Sequence, residues 1–221
     1  MDSSKENKIK ETFKYIIVLL FVFISVLLIR MFAFDYFTIS GHSMAPNLKD
    51  KEIVLVNKLS SKYDRGDVII FDAKNVDFSQ GKYPNDIFYV KRVIGIAGDT
   101  VEFKDGKLYV NDKLVNQDFL VDNKELGIDG NKEKFDTGTY ENHSNWDLNS
   151  LSTGDTWNKN SKNKSVVPKN SVFVLGDNRT VSSDSRMYGF VQTKYITGIV
   201  KTPFWNENSN FVNNWDDRFF K

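Results

Sequence analysis

The sequence predicts a mainly β fold, in which an antiparallel, β-rich domain follows a single N-terminal transmembrane helix. An apolar run long enough to cross a bilayer lies near the N-terminus. Short β-branched runs separated by turn residues follow it. After residue 38 no amphipathic helical pattern of ordinary length stands out. Together these observations indicate a sandwich or barrel-like domain behind a membrane anchor.

The composition of the 221-residue chain excludes several classes of site. Lys and Arg number 30 against 29 Asp and Glu, so the chain has no overall charge that would attract nucleic acid. Cysteine is absent, which excludes disulfides, thiolate metal sites and a cysteine nucleophile. Histidine occurs only at His42 and His143, so a multi-histidine metal site is not expected. The sequence therefore predicts neither a metal nor a cofactor.

The apolar run occupies residues 13–34. A bilayer core needs about 20 helical residues, and the run reaches that length if Lys14 and Arg30 extend their charged ends to the two interfaces. Lysines upstream of the run place the N-terminus in the cytoplasm and the rest of the chain outside. The alternative, a cleaved signal peptide, requires a shorter run and small residues at a cut site. We expect residues 1–37 to be cytoplasmic N-terminus and anchor, and residues 38–221 to be extracytoplasmic.

Each strand candidate is a short apolar run bounded by charged or turn residues. In chain order, the candidates span residues 53–56, 68–71, 88–96, 101–104, 107–110, 172–175 and 197–201. Asp105 and Gly106 join the fourth and fifth candidates with the strongest hairpin signal in the chain. Residues 121–168 differ, being rich in Asn, Lys, Ser, Gly and Asp. Because a connection this long is uncommon inside a compact domain, we expect a peripheral insertion there.

Two segments carry residues suited to nucleophilic catalysis. Ser43 lies on a turn between Gly41 and Pro46, where its own amide is a candidate oxyanion donor. Lys91 lies in the middle of an apolar strand. A lysine has a pKa of about 10.4, and lowering it by about 2 to 3 units costs on the order of 3 to 4 kcal/mol, which burial can supply. A neutral Lys91 would take the proton from Ser43. An ordinary turn serine and a solvated strand lysine remain the alternatives for each segment alone.

A third segment, residues 176–186, follows a buried strand and is dense in hydrogen-bonding groups. Its charged members are Asp177, Arg179, Asp184 and Arg186. Two carboxylates and two guanidiniums this close together form charge-assisted links that rigidify a loop, whereas solvated surface pairs would contribute little. The alternating arginines argue against a metal. A Ser-His-Asp triad built on His143 stays open, although its base would then lie in the most loop-like part of the chain.

At these residues the chain resembles the type I signal peptidase family, its Gram-positive branch in particular. The resemblance covers the anchor and four blocks in the expected order, at residues 40–48, 65–71, 91–99 and 176–186. Each block alone is modest support, whereas four in order behind one membrane span are specific. The insertion and the segment from Pro203 onward lie outside the resemblance.

The resemblance implies roles for named residues. Ser43 corresponds to the nucleophile, Lys91 to the general base, and Ser182 to the serine that hydrogen-bonds and orients the lysine. Gly41 stands where some members carry a serine that completes the oxyanion hole, which leaves the second donor open. The four charged residues of segment 176–186 correspond to a supporting polar network. Further departures from the family pattern are Asn47 for threonine, Ala97 for proline, and Thr180 and Val181 for an Asp-Asn pair.

The resemblance also implies an activity and a location. It indicates a serine endopeptidase that removes signal peptides from exported preproteins through an acyl-enzyme. Its substrates carry small residues at the first and third positions before the cut. The expected partners are preprotein leaders and the lipid bilayer, with the catalytic domain on the extracytoplasmic face. The alternative is a membrane-anchored β-domain binding module whose peptidase motifs are inactive.

Overall fold

The computed structural model describes residues 3–76, 88–120, 145–154, 157, 161–179, 181–213 and 215–220. A long helix, α1 (Ser3–Ala33), precedes a domain built mainly of strands. Its segment Lys10–Ala33 spans 24 residues, and Ala33 is the only buried residue among them. By length and composition it is apolar enough to cross a bilayer, and it overlaps the predicted run at residues 13–34.

The strands begin directly after α1. In chain order they are β1 (Phe34–Thr38), β2 (Ile53–Asn57), β3 (Val68–Asp72), β4 (Phe88–Gly95), β5 (Val101–Lys104), β6 (Lys107–Val110), β7 (Lys113–Leu114), β8 (Trp146–Asp147), β9 (Ser171–Leu175), β10 (Val191–Gln192) and β11 (Ile196–Lys201). Short helices lie among them, at α2 (Leu148–Ser152), α3 (Ser185–Tyr188) and α4 (Ser209–Asn213). Within the described ranges, no α-helix after residue 38 exceeds five residues.

The strands form two sheets. The larger sheet has the order β1-β2-β11-β3-β4-β9-β10, and the smaller has the order β7-β6-β5-β8. Every strand pair in both sheets is antiparallel. The predicted fold class, an antiparallel β-rich domain with one N-terminal apolar helix, is confirmed.

The predicted hairpin is confirmed residue for residue. β5 and β6 pair from Val101↔Val110 to Lys104↔Lys107. The two turn residues, Asp105 and Gly106, have φ values of 51° and 75°. This left-handed backbone is what a two-residue hairpin turn requires, and it is the reason that an Asp-Gly pair is favoured there.

The packing of the core explains why the sequence of β3 is a continuous apolar run. Ile69 and Phe71 pack in one buried cluster, whereas Val68 and Ile70 pack in another on the opposite face. Since neighbouring strand residues point to opposite faces, a strand covered on both faces needs apolar side chains at every position. A third cluster joins the smaller sheet to β9 through Phe173.

The stretch expected to form a peripheral insertion, residues 121–168, is described only in part. Residues 121–144, together with His143, lie outside the described residues. Within the described part, Trp146 and Trp157 are buried in the third cluster, with 4% and 2% exposure. This part of the stretch contributes a strand and large aromatic side chains to the core.

Three elements bring the candidate site residues together. β1 leads into the turn that carries Ser43, and β4 carries Lys91. β9 pairs with β4 from Arg92↔Leu175 onward and then leaves the sheet as segment 176–186. Segment 176–186 therefore begins beside the middle of β4, where β9 ends.

Candidate active site

The turn that carries Ser43 is anchored in the core. The amide of Ala45 donates to the carbonyl of His42 at 3.1 Å, and the amide of Leu48 donates to that of Met44 at 3.0 Å. Met44 and Leu48 are 1% and 0% exposed. Buried side chains just after Ser43 thus fix the turn, while Ser43 itself stays partly accessible.

The structure brings Ser43 and Lys91 into contact. Lys91 Nζ lies 2.8 Å from Ser43 Oγ and 3.1 Å from the carbonyl oxygen of Val90. The same nitrogen lies 5.1 Å from the ring centroid of Tyr89, its neighbour on that face of β4. Lys91 is only 4% exposed. The alternative of a solvated strand lysine is therefore wrong, and burial disfavours the charged form of such an amine.

Segment 176–186 packs against the serine turn. The amide of Asn178 donates to the carbonyl oxygen of Ser43 at 3.0 Å. A methyl group placed on Gly176 would lie 2.5 Å from that same oxygen and 2.5 Å from Ser182 Cβ. Only a glycine therefore fits where β9 ends, and its lack of a side chain lets the segment approach Ser43.

Ser182 is buried beside this contact, with 7% exposure. Its Oγ has no hydrogen-bond partner among the described residues. The hydrogen bond to Lys91 that the resemblance implies is thus not formed in this structure, although Ser182 lies at the same junction as Ser43.

Asp177 forms a fully buried ion pair with Arg92. Arg92 Nε and Nη2 donate to the two carboxylate oxygens at 2.8 and 2.7 Å, and both side chains are 0% exposed. The side-chain amide of Asn47 donates to the same carboxylate at 2.8 Å. Sequence reasoning named Asp177 but not Arg92, and it treated Asn47 only as a departure from the family. The signal for Arg92 was its charge within a strand that, apart from Lys91, has no other charged residue.

Asp184 and Arg186 form the second pair of the segment. Arg186 Nε and Nη2 donate to the Asp184 carboxylate, each at 2.9 Å, and the amide of Gly176 donates to it at 3.0 Å. Burial alone would raise the pKa of Asp184, but Arg186, the Gly176 amide and the nearby Lys91 together hold that pKa below its ordinary value. This arrangement keeps a full negative charge near Lys91.

Arg179 binds backbone and side chain together. Its Nε donates to the carbonyl of Gly176 at 3.0 Å, and Nη1 donates to Gln117 at 2.8 Å. Arg186 Nη2 in turn donates to the carbonyl of Arg179 at 2.7 Å. Hydrogen bonds within the segment therefore link Arg179, Asp184 and Arg186. Asp177 instead bonds to Arg92 and Asn47, which lie outside the segment.

The backbone amide of Gly41 points to a carboxylate of the protein. This amide donates to the carboxylate of Asp50 at 2.8 Å, a contact that sequence reasoning missed. The φ of Gly41 is 91°, in the left-handed region that glycine adopts at no steric cost. Gly41 therefore shapes the turn before Ser43, and its amide has an acceptor of its own.

A cavity of about 410 Å³ opens beside the nucleophile candidate. Residues 40–43, Ala45, Asn178 and Val181 line it, and we call it the Ser43 cavity. His42 thus lies at the same cavity as Ser43. Within the described residues, no group of three or more His, Asp or Glu side chains is placed to hold a metal ion.

Comparisons with the sequences of known proteins agree with one another. Residues 10–205 match the sequence model of the family described as "Signal peptidase, peptidase S26". Signal peptidase IB of Staphylococcus aureus is 36% identical over 200 residues, which cover 89% of this chain and 91% of that protein. Signal peptidase I of Bacillus caldolyticus is 36% identical over 177 residues, covering 80% and 82%. A crystal structure of a signal peptidase I from Enterococcus faecalis V583 aligns with a TM-score of 0.43 and 28% identity, covering 62% of this chain and 96% of that chain.

These relatives place the chain among the enzymes, in the class of serine peptidases. The class prediction made from the sequence is confirmed. Within that class, the chain belongs to the signal peptidase family, peptidase S26. The family predicted from four short blocks and one apolar run is therefore confirmed as well.

Proposed function

We propose that this chain is a membrane-anchored serine endopeptidase that removes N-terminal signal peptides from exported preproteins, with Ser43 as nucleophile and Lys91 as general base. The observation that carries the proposal is the 2.8 Å contact between Lys91 Nζ and Ser43 Oγ, made by an amine that is 4% exposed. A hydroxyl needs a base within hydrogen-bond reach before it can attack a carbonyl. The names of the relatives support the substrate class.

The proposed reaction has two halves. Neutral Lys91 takes the proton of Ser43 as Oγ attacks the carbonyl carbon of the scissile peptide bond. The amide of Ser43 donates to the oxyanion that forms. The resulting ammonium protonates the leaving amine, which releases the mature protein and leaves the signal peptide as an acyl-enzyme. Water, deprotonated by Lys91, then hydrolyses the ester and frees the signal peptide.

The surrounding residues support the dyad in this proposal. Burial disfavours a charged Lys91, while the anionic Asp184 favours it. The balance between neutral and charged Lys91 therefore depends on how completely the bound leader peptide excludes water from the site. In this proposal Ser182 Oγ, which is buried and has no hydrogen-bond partner in the described structure, accepts a hydrogen bond from Lys91 Nζ after that nitrogen has left Ser43 Oγ.

The helix supports an anchored location. Among the described residues, one mostly apolar span of 24 residues precedes the domain, and lysines lie before it. The catalytic domain is therefore proposed to lie on the extracytoplasmic face. The cut site of a preprotein lies at the same surface. Confining both partners to one thin layer raises their effective concentration without any new contact.

The test compares Ser43→Ala, Lys91→Arg and wild type in detergent on a preprotein whose leader ends in small residues. Wild type is expected to give a shortened product whose N-terminus, determined by sequencing, follows the leader. Both variants are expected to lose at least about 10³-fold in kcat/KM, because alanine has no nucleophile and arginine does not give up its proton. Wild-type activity is expected to rise through mildly alkaline pH.

Folding of the variants is the control for this experiment. Circular dichroism spectra and urea midpoints of Ser43→Ala should match those of wild type, since Ser43 is partly exposed. Full activity in Lys91→Arg would remove Lys91 from the role of general base. Failure of wild type to cut any preprotein would favour a binding module with inactive motifs.

A further inference from the structure

Asn47 lies at the end of the serine turn, residues 43–47, and its side chain has no part in the proposed reaction. The residue is buried, with 1% exposure. Its side-chain nitrogen donates to Asp177 Oδ2 and to the carbonyl oxygen of Phe119, each at 2.8 Å. An amide nitrogen carries two protons, so both of them are engaged. One buried side chain therefore joins the serine turn to two other segments of the protein.

Two consecutive residues of segment 176–186 hold the two ends of the serine turn. The amide of Asn178 donates to the carbonyl oxygen of Ser43 at 3.0 Å, which holds the first end. The carboxylate of Asp177 accepts from Asn47, which holds the other end. A turn bonded at one end alone could pivot about that bond, whereas a second bond fixes its direction. The backbone that carries Ser43 Oγ is thus held at two points.

Two consecutive residues of β4 reach the same two ends. Lys91 Nζ lies 2.8 Å from Ser43 Oγ. Arg92, the next residue, points to the opposite face of the strand and donates to Asp177 at 2.8 and 2.7 Å. Arg92 therefore reaches the turn only through the carboxylate and the side chain of Asn47. The position of the turn relative to Lys91 accordingly depends on that side chain.

The bond to Phe119 adds a third fixed point. Phe119 is 0% exposed, and the guanidinium carbon of Arg92 lies 4.3 Å from the centroid of its ring. Apolar packing, such as that of Met44 and Leu48, is non-directional, whereas a hydrogen bond requires a defined distance and angle. The two bonds of Asn47 therefore give the turn a direction that burial of its apolar side chains does not.

We propose that Asn47 is a positioning residue, which keeps Ser43 Oγ within hydrogen-bond reach of Lys91 Nζ by holding the other end of the serine turn. The inference rests on the proposed function and adds to it a residue that acts through Ser43. Misplacement of a reacting group by about 1 Å costs on the order of 100-fold in rate. The effect of losing Asn47 is therefore expected in the chemical step and not in substrate binding.

The experiment measures kcat and KM of full-length wild type, Asn47→Ala and Asn47→Thr in detergent on one preprotein peptide, together with their urea midpoints. Asn47→Ala is expected to lower kcat about 10- to 100-fold and to leave KM within about threefold, because only the geometry of attack is lost. Asn47→Thr introduces the residue of the family pattern. Its hydroxyl has one proton for two acceptors, so its kcat should fall between those of wild type and Asn47→Ala.

Asn111→Ala is the matched control. Asn111 Nδ2 donates at 2.7 Å to Asp99, a buried carboxylate that is itself paired with Arg65. The variant thus breaks the same kind of Asn-Asp-Arg connection, in a place where its partners belong neither to the serine turn nor to segment 176–186. Its φ of 51° also disfavours alanine. The control should lower the urea midpoint and leave kcat unchanged.

A wild-type kcat in Asn47→Ala, or a fall in kcat that Asn111→Ala shares, would overturn the inference and leave the peptidase intact. A rise in KM at constant kcat would overturn it as well. If Asn47→Ala does not fold, Asn47→Thr decides in its place: a lowered kcat at wild-type KM supports the inference, and a wild-type kcat overturns it. A wild-type enzyme that cuts no preprotein peptide would instead refute the proposed function itself.

Discussion

At the scale of single residues, Arg92 and Asp177 form a fully buried ion pair that links two parts of the fold. Both side chains are 0% exposed, and each carboxylate oxygen receives a guanidinium hydrogen bond. The attraction between two buried charges compensates for the hydration that each has lost, so removal of one leaves the other uncompensated. The pair ties β4 directly to segment 176–186, so it fixes the relative position of the residues beside Lys91 and those beside Ser43.

We therefore expect Arg92→Met to destabilise the domain by about 3 to 5 kcal/mol, because it leaves the Asp177 carboxylate buried and without its cation. The measurement is the free energy of unfolding in urea. Lys58→Met is the matched control, since its partner Asp35 is half exposed, and it should cost at most about 1 kcal/mol. Equal midpoints for the two variants would contradict the structural role of the buried pair.

The sequence was informative for residues whose chemistry is unusual in their local context. Ser43 on a Gly- and Pro-flanked turn and Lys91 inside an apolar strand were both predicted, and the structure places them 2.8 Å apart. Arg92 and Asp50 were missed. Their partners, Asp177 and Gly41, lie 85 and 9 positions away. No local pattern specifies the pairing of Arg92 with Asp177, because it depends on how strands are ordered in the sheet. The pairing of Asp50 with Gly41 depends on how the turn between β1 and β2 folds.

At the scale of elements, the strands were predicted well where apolar side chains are dense. β2, β3, β4, β5, β6, β9 and β11 all fall on predicted runs, since each contributes several buried side chains. β1 and the two-residue strands β7, β8 and β10 were not predicted. Short edge strands bury little surface, so they leave a weak pattern in the sequence.

Segment 176–186 depends on the absence of a side chain at its first residue. Gly176→Ala would put a methyl group 2.5 Å from the Ser43 carbonyl oxygen and from Ser182 Cβ. We expect a loss of about 1 to 3 kcal/mol in stability from overpacking and a fall in kcat/KM on the order of 100-fold from misplacement of Ser43. Urea unfolding and a peptide cleavage assay measure the two effects.

Gly154→Ala is the control for this glycine, because its added methyl group would meet only the Leu151 carbonyl, at 3.1 Å. It should leave kcat/KM unchanged. If Gly176→Ala kept wild-type activity, the close packing of the segment against Ser43 would not matter for catalysis.

Asp184 makes the stability of the domain depend on pH. It caps α3, and its pKa is held below the ordinary value of 3.8 by Arg186 and its other partners, against the effect of burial. A carboxyl with a lowered folded-state pKa stabilises the protein above the unfolded value and loses that contribution as pH falls through the folded value. We expect the free energy of unfolding to fall below about pH 4, and Asp184→Asn to flatten this dependence.

The pH dependence is measured by urea unfolding at several pH values between neutral and acidic. Glu207→Gln is a suitable control, because its side chain is 88% exposed and its removal should leave the curve unchanged in shape. A curve of identical slope in Asp184→Asn and wild type would mean that other groups account for the acid sensitivity.

At the scale of the whole molecule, α1 and the domain share a continuous chain with no linker. α1 ends at Ala33 and β1 begins at Phe34, four residues before the division expected after residue 37. The amide of Lys58 donates to the Ala33 carbonyl at 2.9 Å, and Lys58 Nζ donates to the Met31 carbonyl at 3.1 Å. The end of the helix is therefore bonded to the chain just beyond β2.

A chain that begins at residue 34 keeps β1 and is expected to cut a soluble peptide as the full chain does. On a preprotein embedded in vesicles, it should be at least about 100-fold slower than the full chain, because the anchor no longer supplies effective concentration. The comparison of the two substrates is the measurement. A chain that begins at residue 39 lacks β1 and should lose activity on both the soluble peptide and the embedded preprotein. If the residue-34 chain and the full chain cut the embedded preprotein at equal rates, the helix does not have the proposed role.

The direct passage from helix into edge strand also bears on turnover of the protein at the cell surface. A protease that cuts after β1 would remove the edge strand of the large sheet together with the anchor, and the released fragment would be an incomplete domain. Only a cut between Ala33 and Phe34 would release a domain that keeps β1, and no linker separates the helix from the strand at that point. The direct connection therefore disfavours release of a diffusible active enzyme by proteolysis.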